Sequence, residues 1–88
     1  MKILQVIILD KLNQKYGKRE ITMKELKYHL KLIHRIPKSV VGIVIADMIN
    51  KKYLINTDEG VYKLRKNIGE MVECSMNKYN LMRNKTFA

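Results

Sequence analysis

Residues 20–64, EITMKELKYHLKLIHRIPKSVVGIVIADMINKKYLINTDEGVYKL, decide the reading of this chain. Thr22 with Glu25 matches the capping box, in which hydroxyl and carboxylate each accept a backbone N–H left free at a helix start. A helix is therefore predicted from Met23, with Met23, Leu26, Leu30 and Ile33 repeating by three and four as its core face. Lys24, Lys27, Tyr28, Lys31 and Arg35 fall on a different face. Pro37 cannot continue that helix but suits the first turn of another. Residues 37 to 51 or 52 are then apolar almost all round; a buried strand shares this signature, and the length selects a helix. At about 100° per residue, Val41, Ile45, Met48, Ile49 and Lys52 share one face, and Ser39, Val40, Ile43, Asp47, Asn50 and Lys51 share the other. Two β-prone runs, 53–56 and 61–65, flank Thr57-Asp58-Glu59-Gly60, which is a hairpin signal.

Outward from this stretch, residues 2–16 are strong helix formers without Gly or Pro, and Leu4, Ile8, Leu12 and Tyr16 or Lys15 form one stripe. Gly17 stands where a C-terminal cap belongs. Ile3, Val6, Ile7 and Leu9 widen the apolar surface, so this helix is expected to touch two neighbours. Its start has the outline of a short secretory signal, yet Asp10 and Lys11 follow at once without a small-residue cleavage site, and it is read as core. Beyond residue 66, Ile68, Val72, Ser75, Tyr79 and Met82 alternate by four and three, a heptad seam on a terminal helix reaching about residue 83. Met71, Cys74 and Met76 make its flank too apolar for a free tail, whereas residues 84–88 have no reason to be ordered.

The 88 residues include 18 Lys or Arg and 8 Asp or Glu, a formal net charge of +10. A chain of this size supports one core, so two folded domains are excluded. With 47% apolar residues, wholesale disorder is not expected. No run approaches the roughly 20 apolar residues of a membrane-spanning helix. The lone Cys74 excludes a disulfide framework and a clustered cysteine zinc site; it suits a reducing, cytoplasmic setting and is expected to be a buried free thiol. The charge is uneven: segments 1–21, 22–38, 39–65 and 66–88 carry +3, +4, +1 and +2.

The order of helix, strand-like link at 20–22, helix, Pro37 turn, helix and hairpin resembles the winged helix-turn-helix DNA-binding domain. The most specific part is Lys52-Tyr53-Leu54-Ile55 followed by Gly60-Val61-Tyr62-Lys63-Leu64, although Tyr53 stands where that family most often has Gly. The resemblance implies an α+β, mostly helical fold, with a winged helix of three helices and a two-stranded hairpin over residues 1–66. Residues 67–88 would then be a dimerisation helix and tail, as the chain is also similar to small archaeal winged-helix proteins that dimerise through a long C-terminal helix. By that resemblance the third helix enters the major groove with Ser39, Val40, Ile43, Asp47, Asn50 and Lys51 outward. Lys38 meets a phosphate, Lys63 and Arg65 are the basic residues of the wing, and Ile68, Val72, Ser75, Tyr79 and Met82 form the homodimer seam.

Lys24, Lys27, Lys31, Arg35 and Lys38 can line one edge, where each phosphate they neutralise releases counterions and supplies sequence-independent affinity. Between Ser39 and Asn50 there is no Arg, Lys, Gln or Glu to read a base edge, leaving Ser39, Asn50 and aliphatic groups able to meet a thymine methyl. Asp58 and Glu59 at the hairpin tip are wrong for the minor groove. The expectation is therefore a dimeric protein that grips the backbone of double-stranded DNA, as a transcriptional regulator or a coating protein. The alternative from another class is a protein assembly module whose apolar third helix, with Val40 and Ile43, is buried in a partner. Adsorption of basic helices on an anionic membrane is a third option. Tyr28 and Tyr62 are read as core or rim rather than as base-stacking platforms. His29 and His34, five apart, miss the i, i+4 spacing of a shared helix face, so no metal is expected. No phosphate loop, catalytic carboxylate pair or activated nucleophile is present, and neither enzyme activity, a cofactor nor a small-molecule ligand is expected.

Overall fold

The computed structural model of the chain describes residues 1–80. In chain order the elements are α1 (Ile3–Tyr16), β1 (Ile21–Thr22), α2 (Met23–Tyr28), a π-helical turn (His29–Ile33), α3 (Lys38–Asn50), β2 (Leu54–Asp58), β3 (Val61–Leu64) and α4 (Ile68–Lys78). The described residues thus form a mostly helical α+β fold with one antiparallel sheet, ordered β1-β3-β2.

Local signals account for the element ends. Gly17 takes φ +57°, and its N–H donates to Asn13 O at 2.9 Å, closing α1 in a conformation that suits a residue without Cβ. At α2 the capping box is complete: Glu25 N–H donates to Thr22 Oγ1 at 3.1 Å and Thr22 N–H to Glu25 Oε1 at 3.0 Å. Pro37 precedes the first residue of α3. The residue in the left-handed region at the exit of α3 is Lys52, φ +66°, while Tyr53 turns inward and is buried. In the hairpin Asn56 Nδ2 donates to the carbonyls of Asp58 and Val61 at 2.8 and 3.0 Å, pinning the turn beside an irregular register between Asn56 and Asp58. Gly60 O accepts from Met23 N–H at 2.9 Å, which ties the hairpin to the start of α2.

The core joins Val6, Ile8, Leu9 and Leu12 of α1 to Leu26 and Leu30, to Val41, Ile45 and Met48 of α3, and to Ile21, Leu54 and Leu64 of the sheet. Ile68, Val72 and Met76 of α4 belong to the same cluster, and α4 packs along α1. Around α1 the buried positions span roughly 200° of arc, so the helix is embedded rather than half-exposed. Leu4 is a correction to its expected stripe. Steps of four drift about 40° each, which carries Leu4 out to the free arc with Ile3 and Ile7.

Three further expectations change. The second helix is not α throughout: the π turn rotates its end, leaving Leu26 and Leu30 fully buried while Ile33, expected in the core, is exposed. The terminal helix buries Ile68, Val72 and Met76, steps of four from a straight helix lying on α1, instead of a heptad seam. Ile68 and Val72 are thereby spent inside the chain and are not available to a second subunit; Ser75 is half-buried and Tyr79 is exposed at the edge, its hydroxyl donating to Met1 O at 2.8 Å. Met82 and the 84–88 tail lie outside the described residues. Cys74, expected to be buried, is exposed, because it lies on the side of α4 away from Val72.

Candidate functional site

The capping box starts α2 so that Lys24, Lys27 and Lys31 project on one side while Leu26 and Leu30 face the core. With Met23, Tyr28 and Leu32 these lysines line a surface concavity of about 670 Å³. Glu25 is the acidic residue in this segment, and it is engaged in the cap; its carboxyl is held below the usual range, chiefly by the Thr22 backbone N–H. Arg35 and Lys38 follow as exposed cations in the turn and at the head of α3, Arg35 with φ +55°.

On α3 the sequence-predicted faces hold except at Asp47 and at Lys52, which lies beyond the helix end and is exposed. Val41, Ile45 and Met48 are buried, while Lys38, Ser39, Val40, Ile43 and Asn50 are exposed, Ile43 at 68%. Asp47, expected on the outward face, is instead half-buried: it accepts a hydrogen bond from buried Gln5 Nε2 of α1 and pairs with Lys51 at 3.4 Å. Lys51 is therefore not a free cation. The structure assembles Lys24, Lys27 and Lys31 on one wall, but Lys63 and Arg65 belong to a different place. Together with Lys18, Lys66 and the apolar Ile55 and Leu64 they line a second concavity of about 660 Å³, between the end of α1, the hairpin and the start of α4.

Sequence reasoning missed Lys18 and Lys66 in that second group; Lys66 directly follows Arg65 along the chain, whereas Lys18 joins the group only through the fold. It also missed Ile33 as a surface residue, because a constant period of 3.6 hides the π turn. Tyr62 is half-buried and Tyr28 is 55% exposed, so of the two tyrosines Tyr28 is the one open to a partner.

The histidines are brought together against the sequence expectation. His34 N–H donates to His29 O at 3.4 Å, a five-residue step that sets the two rings edge to face with centroids 4.8 Å apart. Burial, the neighbouring His34 and Lys15 push the His29 imidazole down to about 4, and burial together with Lys11 lowers His34. Among the described residues no group of three or more His, Cys, Asp or Glu side chains is placed to hold a metal, and no helix is long and apolar enough to cross a membrane.

No protein-family model, curated protein or solved structure matches the chain.

Proposed function

We propose that the chain is a winged-helix DNA-binding protein that grips the duplex through its phosphate backbone, as a transcriptional regulator or a coating protein. The element order with its β1-β3-β2 sheet supports this reading, since it follows the helix, link strand, helix, helix and wing arrangement expected from the resemblance. The observation that carries it is the electrostatics of α2 and α3. Lys24, Lys27, Lys31, Arg35 and Lys38 are exposed, and the carboxylates within this surface are engaged, Glu25 in its cap and Asp47 with Gln5 and Lys51. Phosphate then meets cations without a free carboxylate to repel it. Ser39, Ile43 and Asn50 on the open face of α3 supply shallow contacts, a thymine methyl against Ile43 among them.

Fluorescence anisotropy of a labelled duplex tests the reading. Affinity falls steeply between about 50 and 200 mM salt, and Lys24→Gln/Lys27→Gln/Lys31→Gln flattens the log–log slope by about 2.7, roughly 0.9 for each phosphate that is no longer neutralised. Salt-independent binding, or a slope unchanged in the triple variant, rejects it. The open Ile43 also favours the second reading, an assembly module using α3. There, Ile43→Asp abolishes association with a protein partner while the lysine variants leave it intact. A homodimer on the α4 seam forms no part of the proposal, because Ile68 and Val72 are already buried against the chain's own core.

A further inference from the structure

Tyr28 and Leu32 stand 55% and 59% exposed in the concavity that Lys24, Lys27 and Lys31 also line, and Ile33, the next residue along the π turn, is 53% exposed. They cannot retract by a small rotation, because Leu26, His29 and Leu30 on the reverse side of the same two turns are already buried. A phosphate backbone satisfies the lysines and leaves these apolar groups in water, so the phosphate reading does not account for them. A surface that sets apolar side chains beside a row of cations offers a protein partner both apolar burial and charge pairing.

We propose that the concavity lined by Met23, Lys24, Lys27, Tyr28, Lys31 and Leu32 takes an acidic amphipathic helix of a partner protein, which competes with DNA for the same lysines. The occupant is argued from charge and shape. Seen from the partner, apolar side chains at i, i+4 and i+7 cover Tyr28 and Leu32, and flanking Asp or Glu residues meet the three lysines. The apolar and cationic positions run from residue 23 to residue 32, a length of about 14 Å at helical rise, which two to three turns of a docked helix cover. A second copy of this chain does not fit, because facing two such surfaces would bring their lysine triads together at close range. An anionic bilayer fits less well than a helix, because the apolar row is short and lies in a concavity rather than along a whole helix. This inference rests on the DNA reading only in sharing its lysines, and it makes the acidic partner a regulator of that surface.

The test uses the full chain and a synthetic three-turn peptide with leucines at i, i+4 and i+7 and glutamates on the flanks, read by anisotropy. The control is a peptide of the same composition with its leucines scattered. The patterned peptide is expected to bind at least about tenfold more tightly than the control and to displace a labelled duplex. Leu32→Ser/Ile33→Ser weakens the peptide about tenfold or more and leaves duplex affinity unchanged, whereas Lys24→Gln/Lys27→Gln weakens both. Both serines replace exposed side chains, so circular dichroism matches the parent. Equal binding of the two peptides, or peptide affinity untouched by the serine substitutions, overturns the proposal. So does binding to phosphatidylserine/phosphatidylcholine vesicles that these substitutions abolish when the patterned peptide does not bind. Peptide binding without duplex binding rejects the DNA reading and, with it, the competition, and upholds the docking site; duplex binding without peptide binding rejects this inference alone.

Discussion

The Nε2 atoms of His29 and His34 lie 3.0 Å apart, within hydrogen-bonding distance. One ring must donate its N–H and the other must offer a lone pair, so the accepting imidazole has to be neutral and the contact is lost when both rings are protonated. Whichever way the proton lies, His29 Nδ1 is buried without a hydrogen-bond partner; a bare nitrogen there is cheaper than an orphaned N–H, which favours His29 as the Nε2 donor.

The pair makes folding acid-sensitive. Burial, with His34 and Lys15, holds His29 at about 4 in the folded chain against about 6.5 when unfolded. Between those values the unfolded chain binds more protons, so stability is full above pH 6.5 and declines as pH falls toward 4. Urea unfolding is expected to show a lower midpoint at pH 5 than at pH 7.5. His29→Phe flattens that difference, and a midpoint in the parent protein that ignores this window contradicts the arrangement.

Thr22→Ala removes the hydroxyl that accepts Glu25 N–H. A loss of about 1 kcal/mol is expected from the cap. Glu25→Gln is milder, because the amide oxygen still accepts Thr22 N–H. Equilibrium unfolding of the two variants checks the ranking.

Val72 is fully buried in the core that α4 shares with α1. Val72→Ala is expected to cost about 2 kcal/mol, from reduced transfer energy and a small cavity. The destabilisation should be the same at low and high protein concentration; a midpoint that rises with concentration would instead place Val72 between subunits.

Asp47→Asn tests the link between the core and the proposed DNA surface. Removing the carboxylate frees Lys51 and raises duplex affinity by less than about tenfold. The bond from buried Gln5 Nε2 survives only in the amide flip that turns its oxygen toward Gln5. Asp47→Ala leaves that donor unpaired and costs about 1 to 3 kcal/mol. Thermal unfolding beside anisotropy separates the two effects.

Much of this molecule was legible because its signals are local. Thr22 with Glu25, Gly17 and Pro37 each act through backbone groups a few residues away, and Asp58 to Gly60 mark a turn by what their own dihedrals allow. Those residues by themselves determined where α1 ends, where α2 and α3 begin and where the hairpin turns, and the period of α3 determined that Val41, Ile45 and Met48 face inward. The lysine group at 24, 27 and 31 was equally visible, as spacing on one helix.

Only the tertiary structure decided what those elements do to one another. Gln5 meets Asp47 across 42 residues and Tyr79 meets Met1 across 78, and no periodicity encodes either contact. Whether Ile68 and Val72 would bind α1 or a second chain was open, since an apolar stripe specifies burial and not its partner. The π turn was hidden for a related reason. Its backbone costs more than an α turn, and it persists where the surrounding packing holds it, burying Leu30 and His29, opening Leu32 and Ile33, and bringing His34 onto His29.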